Sequence, residues 1–277
     1  MRRSALKAGR HLGWSADDLA GKPYARFWNP VVAPLGVAAR EALMQGPIAE
    51  AFLPPLSEAQ TMFFGGASTV ENGFTLAGDG SMRLAVATDM PGVAPDMIDW
   101  WFGWHSDSPE RYKLWHPQAH MHASWLRAPA KGSRGRTRYL GHTSIVDEYV
   151  GSDFVRLAIS FVPPEALGLR HASLAAGGSA TAICADSTLA GMPLTAGYLI
   201  HLVQPTATGS VMRSRFWIGG SNIRARGIVG IPAAAIARTQ LRPSENDARA
   251  LLVHCAQEMH HLATFLPALY AAFKDAD

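Results

Sequence analysis

Apolar and polar positions alternate in six segments of the middle of the chain, residues 81–88, 137–150, 153–161, 180–185, 196–204 and 210–218. Each is rich in β-branched or aromatic residues and bounded by Gly, Pro or Asp, which predicts six strands. Along 137–150 the two-residue period puts Leu140, His142, Ser144, Val146 and Glu148 on one face. Pro95–His105 reads as a helix with Pro in its first turn, and residues 108–122 as a Pro- and charge-bearing loop. Upstream the pattern is short and broken. Ser15 precedes a short helix at 16–20, and residues 37–44 read helical before the Pro-rich AFLPPLSEAQ. We therefore read residues 1–66 as an extension packed on a main domain of residues 67–277.

The last segment is the most regular. Ser244 and Asn246 offer N-cap chemistry, Glu245 and Asp247 complement the first-turn dipole, and apolar residues recur to Phe273, which predicts a helix of about 30 residues. Leu251, Leu262, Phe265, Leu266, Leu269 and Phe273 form its core-facing stripe. The expected fold is α+β, a curved antiparallel sheet gripping a long C-terminal helix with a cavity between them.

Composition narrows the class. A chain of 277 residues, 48% hydrophobic and 17% charged, has enough apolar surface for a large core and is not disordered. Its two cysteines, Cys184 and Cys255, form neither a disulfide framework nor a CxxC pair, which fits a reducing compartment. With 25 Lys+Arg against 22 Asp+Glu and no run of like charges, the chain lacks the footprint of a nucleic-acid binder. The N-terminal MRRSALKAGRHLGW is interrupted by Lys7, Arg10 and His11 before a signal core forms, and the longest near-apolar stretch, 227–237, is about half of the ~20 residues a bilayer needs. The expectation is a cytoplasmic protein with no membrane or nucleic-acid partner, either monomer or homodimer.

Two polar groups interrupt the helical stripe. His254 and Glu258 are four apart on one face, with His261 nearly aligned. A buried carboxylate costs several kcal/mol unless a metal or cation offsets it; otherwise the stripe meets solvent there. RYKLWHPQAHMH brings Tyr112, His116, His120 and His122 into eleven residues, a metal-ligating loop or an aromatic-packed one. Glu148 ends a strand facing the core, as a ligand or a satisfied strand-end acid. His105 reads as a packed or capping residue, His261 as a partner of the ligands or a surface histidine, and Cys255 as a core thiol. Trp100, Trp101, Trp104 and Trp115 read mostly as core, one or two walling an aromatic pocket.

The blocks WWFGWHSDSPERYKLWHPQAH, VDEYVG and HLVQPTATGSVMRSRFWIGG, followed by the late HxxxE, span residues 90–262 in order. Together they resemble the 2,4-diacetylphloroglucinol hydrolase and phloretin hydrolase family. The resemblance implies a helix-grip fold similar to the Bet v 1 proteins and zinc-dependent (Zn2+) hydrolysis of the C–C bond between an acyl group and a polyhydroxylated ring, or of a related β-diketone. It implies His120, Glu148, His254 and Glu258 as metal ligands, with His120 preferred to His116 because it stands eight residues after Tyr112. It assigns catalytic roles to Tyr112, His201 and Glu148, and substrate contact to Tyr112 and His201. At two further substrate-binding positions the chain departs, with Phe216 in place of a second tyrosine and Ala123 in place of an asparagine. The same residues also suit a non-catalytic protein holding a hydrophobic ligand, or a non-haem iron oxygenase.

Overall fold

The computed structural model describes residues 16–64, 70–170, 172, 174 and 180–276. The basic N-terminal stretch, the Ser15 cap and the expected boundary at residues 66 and 67 lie outside the described residues. Helices α1 (Val37–Gln45) and α2 (Ala59–Phe64) precede strands β1 (Gly73–Leu76) and β2 (Ser81–Pro91), after which come helices α3 (Pro95–His105) and α4 (Pro109–Trp115). Then follow β3 (His120–Trp125), the short helix α5 (Arg136–Tyr139), β4 (Thr143–Val150), β5 (Asp153–Val162) and β6 (Thr181–Leu189). The chain continues through β7 (Leu194–Thr195), β8 (Gly197–Thr206), β9 (Gly209–Gly219) and β10 (Arg224–Ala225) to helices α6 (Gly230–Gln240) and α7 (Glu245–Phe273).

Among the described residues, eight strands form one antiparallel sheet in the order β1-β2-β9-β8-β6-β5-β4-β3, while β7 and β10 make a separate pair. Hairpin β8–β9 turns tightly at Gly209, where φ is +154° and a Cβ would run into the backbone of Met90, so only glycine fits. Helix α7 starts on a capping box: the Ser244 hydroxyl accepts from the Asp247 backbone and the Asp247 carboxylate accepts from the Ser244 backbone. It lies against β2 and β1 and reaches β4. Leu252, Met259, Leu262, Leu266 and Leu269 are fully buried on that face, each contributing roughly 1.5–3 kcal/mol. Leu262→Ala would cost about 2–5 kcal/mol. The opposite sheet face carries a smaller cluster in which Ala59 and Phe63 of α2 cover Cys184, Ile200, Leu202 and Trp217. This is the helix-grip arrangement expected from the apolar pattern.

The structure corrects several elements. The strand expected over 137–150 starts only at Thr143; residues before it form α5, where Tyr139 Oη donates to Asp99 at 2.5 Å, and Gly141 reverses the chain at φ +80°. Leu140 and His142 are therefore off the strand, whereas Ser144, Val146 and Glu148 are buried along it as expected. Residues 108–122 are not a loop. Ser108 caps α4, with Pro109 in its first turn, and His120 opens β3. Strand β1 was not foreseen, because Asn72, Gly73 and Gly78 mask its four residues as a turn. In the helical stripe Leu251 and Phe273 lie half-buried at the margin.

The N-terminal residues pack on the same core: Leu19, Tyr24, Ala39 and Ala42 join the cluster that contains α7. Residues 29–35 then cross the molecule as a strap. The Pro30 carbonyl accepts from Gln118 Nε2 at 3.5 Å, the Ala33 N–H donates to His261 Nδ1 at 3.3 Å, and the Pro34 carbonyl lies 2.6 Å from His260 Nδ1. Among the described residues no helix is long and apolar enough to cross a membrane.

Candidate metal centre

Three elements bring the titratable side chains together. Helix α4 carries Tyr112 and ends at His116, whose carbonyl accepts from Ala119 and His120 in a turn around Pro117. That turn delivers His120 to the first position of β3. A β-bulge between His120 and His122 shifts the register so that His120 pairs with Glu148 across β3 and β4, a device that re-aims a side chain. Helix α7 supplies His254 and Glu258 one turn apart, both inside the core.

The four side chains converge. His120 Nε2 lies 3.4 Å from His254 Nε2, 3.4 Å from Glu258 Oε2 and 3.8 Å from Glu148 Oε2, and His254 Nε2 lies 3.7 Å from Glu258 Oε2. The ligand atoms of His120, Glu148 and His254 all fall within 4.8 Å of one another. Four atoms placed around one tetrahedral ion at 2.0–2.1 Å would stand about 3.3–3.4 Å apart; the spacings of His120 to His254 and to Glu258 match that figure, while those of His254 to Glu258 and of His120 to Glu148 are wider.

The protonation pattern points the same way. His120 Nδ1 lies 3.0 Å from the Tyr112 carbonyl; as donor there it leaves the lone pair on Nε2, the form that metal-bound histidine takes. The ring of His254 is hydrogen-bonded to the backbone of Tyr149. Burial holds both imidazoles neutral: it pushes His120 well below its ordinary pKa, helped by His254 and His116, and pushes His254 down to about 4. Burial also pushes Glu148 up to about 7, against its bond from Tyr112 and with the charge of Asp147 adding to the rise. It raises Glu258 well above the carboxylate range, with Glu148 adding to the effect. Two neutral imidazoles and two desolvated carboxyls facing one another favour a positive charge at their centre.

Tyr112 closes one side. Its ring stacks on His120 with centroids 3.7 Å apart and planes within 2°, and its hydroxyl donates to Glu148. Burial, and then the charge of Glu148, raise its pKa well above the ordinary value, so the phenol stays protonated.

His201 is placed elsewhere. On β8 it lies 2.8 Å from Ser214 Oγ by Nδ1 and is ringed by Phe102 at 6.0 Å and Phe216 at 5.7 Å. Burial brings its pKa down to about 3. Ala123 is fully buried in the core opposite Val146. His105 stacks on Trp101 at 4.8 Å as a packed residue, and Cys255 is a buried thiol. His122 lies half-buried, 3.2 Å from Ser124 Oγ and outside the convergence. His261 is no surface residue, being 1% exposed. His116, the alternative loop ligand, lies with its ring on His254 at 5.1 Å and 17°. Sequence reasoning missed this stack, since nothing local in HPQAH announces which helix the ring will meet.

The chain is 29% identical over 269 residues to a 2,4-diacetylphloroglucinol hydrolase of Pseudomonas protegens, covering 91% of this chain and 85% of that protein. It is 30% identical over 259 residues to the phloretin hydrolase of Eubacterium ramulus, covering 91% and 90%. Among solved structures, the ginseng major latex-like protein 151 of Panax ginseng matches 66% of this chain and 98% of its own, at 11% identity and a TM-score of 0.33. The DAPG hydrolase PhiG domain pattern matches residues 52–271, and the chain belongs to that family.

Proposed function

We propose that the protein is a zinc-dependent hydrolase that cleaves the C–C bond between an acyl group and a polyhydroxylated aromatic ring. The observation carrying this reading is the convergence of His120, Glu148, His254 and Glu258 on one buried point beside a protonated tyrosine. Those four residues would hold the ion, and their His2Glu2 character suits zinc. Bound there, zinc supplies Lewis acidity toward an acyl oxygen and lowers the pKa of a water toward about 7. Both relatives are named for substrates that are aryl ketones of a trihydroxybenzene ring, and the reading for this chain is the same substrate class.

In the overall reaction the oxygen of water bonds to the acyl carbon and the bond from that carbon to the ring breaks. The electron pair stays with the ring, spread onto its oxygens, and the ring carbon takes a proton. The products are a carboxylic acid and the deacylated phenol. The hydrogen-bonded pair of Tyr112 and Glu148 is where a proton is held and returned. Tyr112 and His201 are the donors we assign to the ring oxygens, with Phe216 and Ala123 as apolar positions of the substrate wall. Such a donor contributes about 2.7–4 kcal/mol to a transition state.

The test is metal analysis of protein purified without chelator, joined to assay of carboxylic acid release from acylphloroglucinols, acylphenols and β-diketones. One equivalent of zinc and release of the acid at the same rate without oxygen is the expected result. A metal-free protein that binds but never cleaves these ketones would refute the reading, as would a requirement for oxygen.

A further inference from the structure

Through its first seven residues, GIPAAAI, helix α6 is apolar on every side. Its inner face, where Gly230, Ala234 and Ala237 are buried, packs with Leu194 and Ile223 in a small core separate from the main one. Gly230 seats the helix against β7, since a Cβ there would run into the Pro193 carbonyl oxygen. Ile231, Pro232, Ala235 and Ile236 lie on the side away from that core, and all four are exposed. Ile231 is 59% and Ile236 56% exposed, while Ile228 and Val229, in the turn that leads into the helix, are 85% and 79% exposed. A surface helix ordinarily turns a polar face to water, and a continuous exposed apolar patch marks a contact site. Residues 227–237 are too short to span a bilayer. Spanning length, the basis for expecting no membrane partner, does not bear on a contact made face-on.

The charge around this face has one sign. No Asp or Glu occurs between Asp186 and Glu245, a stretch that holds six arginines. Arg224, Arg226, Arg238 and Arg242 are exposed beside the apolar residues. Arg226 pairs with Asp186; among the described residues no ion pair engages the other three. The guanidinium groups of Arg224 and Arg238 converge on one acceptor, the Ile223 carbonyl, at 3.3 Å and 2.8 Å, so two positive charges stand side by side at the edge of the patch. A second copy of the chain set on this face by a two-fold axis would bring these arginines against their own counterparts. Residues 1–15 are no better as an occupant, because Arg2, Arg3, Lys7 and Arg10 give them the same sign with no acid. An apolar centre with a cationic rim is the complement of a surface that is anionic outside and apolar beneath.

We propose that α6 and the turn before it form a peripheral docking face for an anionic lipid bilayer. Ile228, Val229, Ile231 and Ile236 enter the boundary between headgroups and acyl chains, and Arg224, Arg238 and Arg242 meet lipid phosphates. This inference is independent of the hydrolase reading above.

The test is co-sedimentation of the full chain with vesicles of phosphatidylcholine alone or of an equal mixture with phosphatidylglycerol. The parent is expected to bind the mixed vesicles and to be released as salt rises from ~0.1 M to ~1 M, where the screening length falls from about 10 Å to 3 Å. Replacing Ile228, Ile231 and Ile236 together by Ser should weaken partitioning more than about tenfold, and Arg242→Gln about fivefold. Met44→Ser, at an 87% exposed apolar residue of α1, should change nothing. All these positions are exposed, so the variants keep the parent's melting temperature and its rate of acid release from acylphloroglucinols. Absence of binding, equal binding to phosphatidylcholine alone, or an equal loss in Met44→Ser would overturn the proposal. So would a parent that ignores vesicles but sediments as a dimer which the triple-Ser variant splits, since the face would then be a contact between copies.

Discussion

Replacing Tyr112 by Phe isolates one interaction. The phenyl ring retains the face-to-face stack on His120 at 3.7 Å, so packing around the centre is kept and only the hydroxyl bonded to Glu148 is removed. Leaving a buried carboxyl without that bond costs about 1–3 kcal/mol, which at 2–4 °C per kcal/mol lowers Tm by roughly 2–12 °C. If Tyr112 also serves the transition state, another 2.7–4 kcal/mol is lost there, and kcat falls about 10²–10³-fold. Loss of a group that orients a ligand weakens metal binding 10–100-fold, so kcat is measured by acid release at saturating zinc, alongside melting of the same preparation. A variant with a lower Tm but kcat within about threefold of the parent would show Tyr112 to be structural and refute its catalytic role.

His254→Ala and Glu258→Gln each remove one arm of the convergence and should abolish stoichiometric zinc, read by elemental analysis, while far-ultraviolet dichroism stays unchanged. Under strict anaerobiosis the initial rate of acid release should equal that in air; a rate that stalls would mark oxygenase chemistry. Burial depresses the pKa of His105 and of His201 to about 3 from an ordinary 6.5. Each folded-state pKa is below the unfolded one, so the stabilisation is complete above pH 6.5 and is lost as pH falls toward 3, by about 1.4 kcal/mol per unit for each ring. Melting from pH 7 to pH 4 should therefore show a steep decline that His105→Phe makes shallower by one ring's share; an unchanged slope would disprove it.

Helix α7 was legible because its signals are local: a capping box at Ser244 and Asp247, then apolar residues at helical spacing. The polar pair His254 and Glu258 stood out against that stripe for the same reason. Helix α4 was hidden by its length, although the Ser108–Pro109–Glu110 start is a helix signature. Its seven residues between Pro109 and Pro117 offer too few turns for periodicity to register. The bulge that seats His120 against Glu148 depends on how β3 meets β4, which no stretch of sequence encodes alone. The Tyr112 to His120 spacing carried meaning only through resemblance to a known family, whereas the strap contact of His261 comes from Ala33, 228 residues away in the chain.

That crossing segment lies upstream of residues 52–271, the part that matches the family pattern. A single peptide N–H, at Ala33, dictates which nitrogen of a distant imidazole carries hydrogen. Exchange of Ala33 for Pro would delete this instruction and let the ring invert from donor to acceptor without altering any side chain in the pocket. A change in this segment can thus alter the hydrogen-bonding sense of a buried ring of α7 while every side chain of the candidate metal centre stays the same.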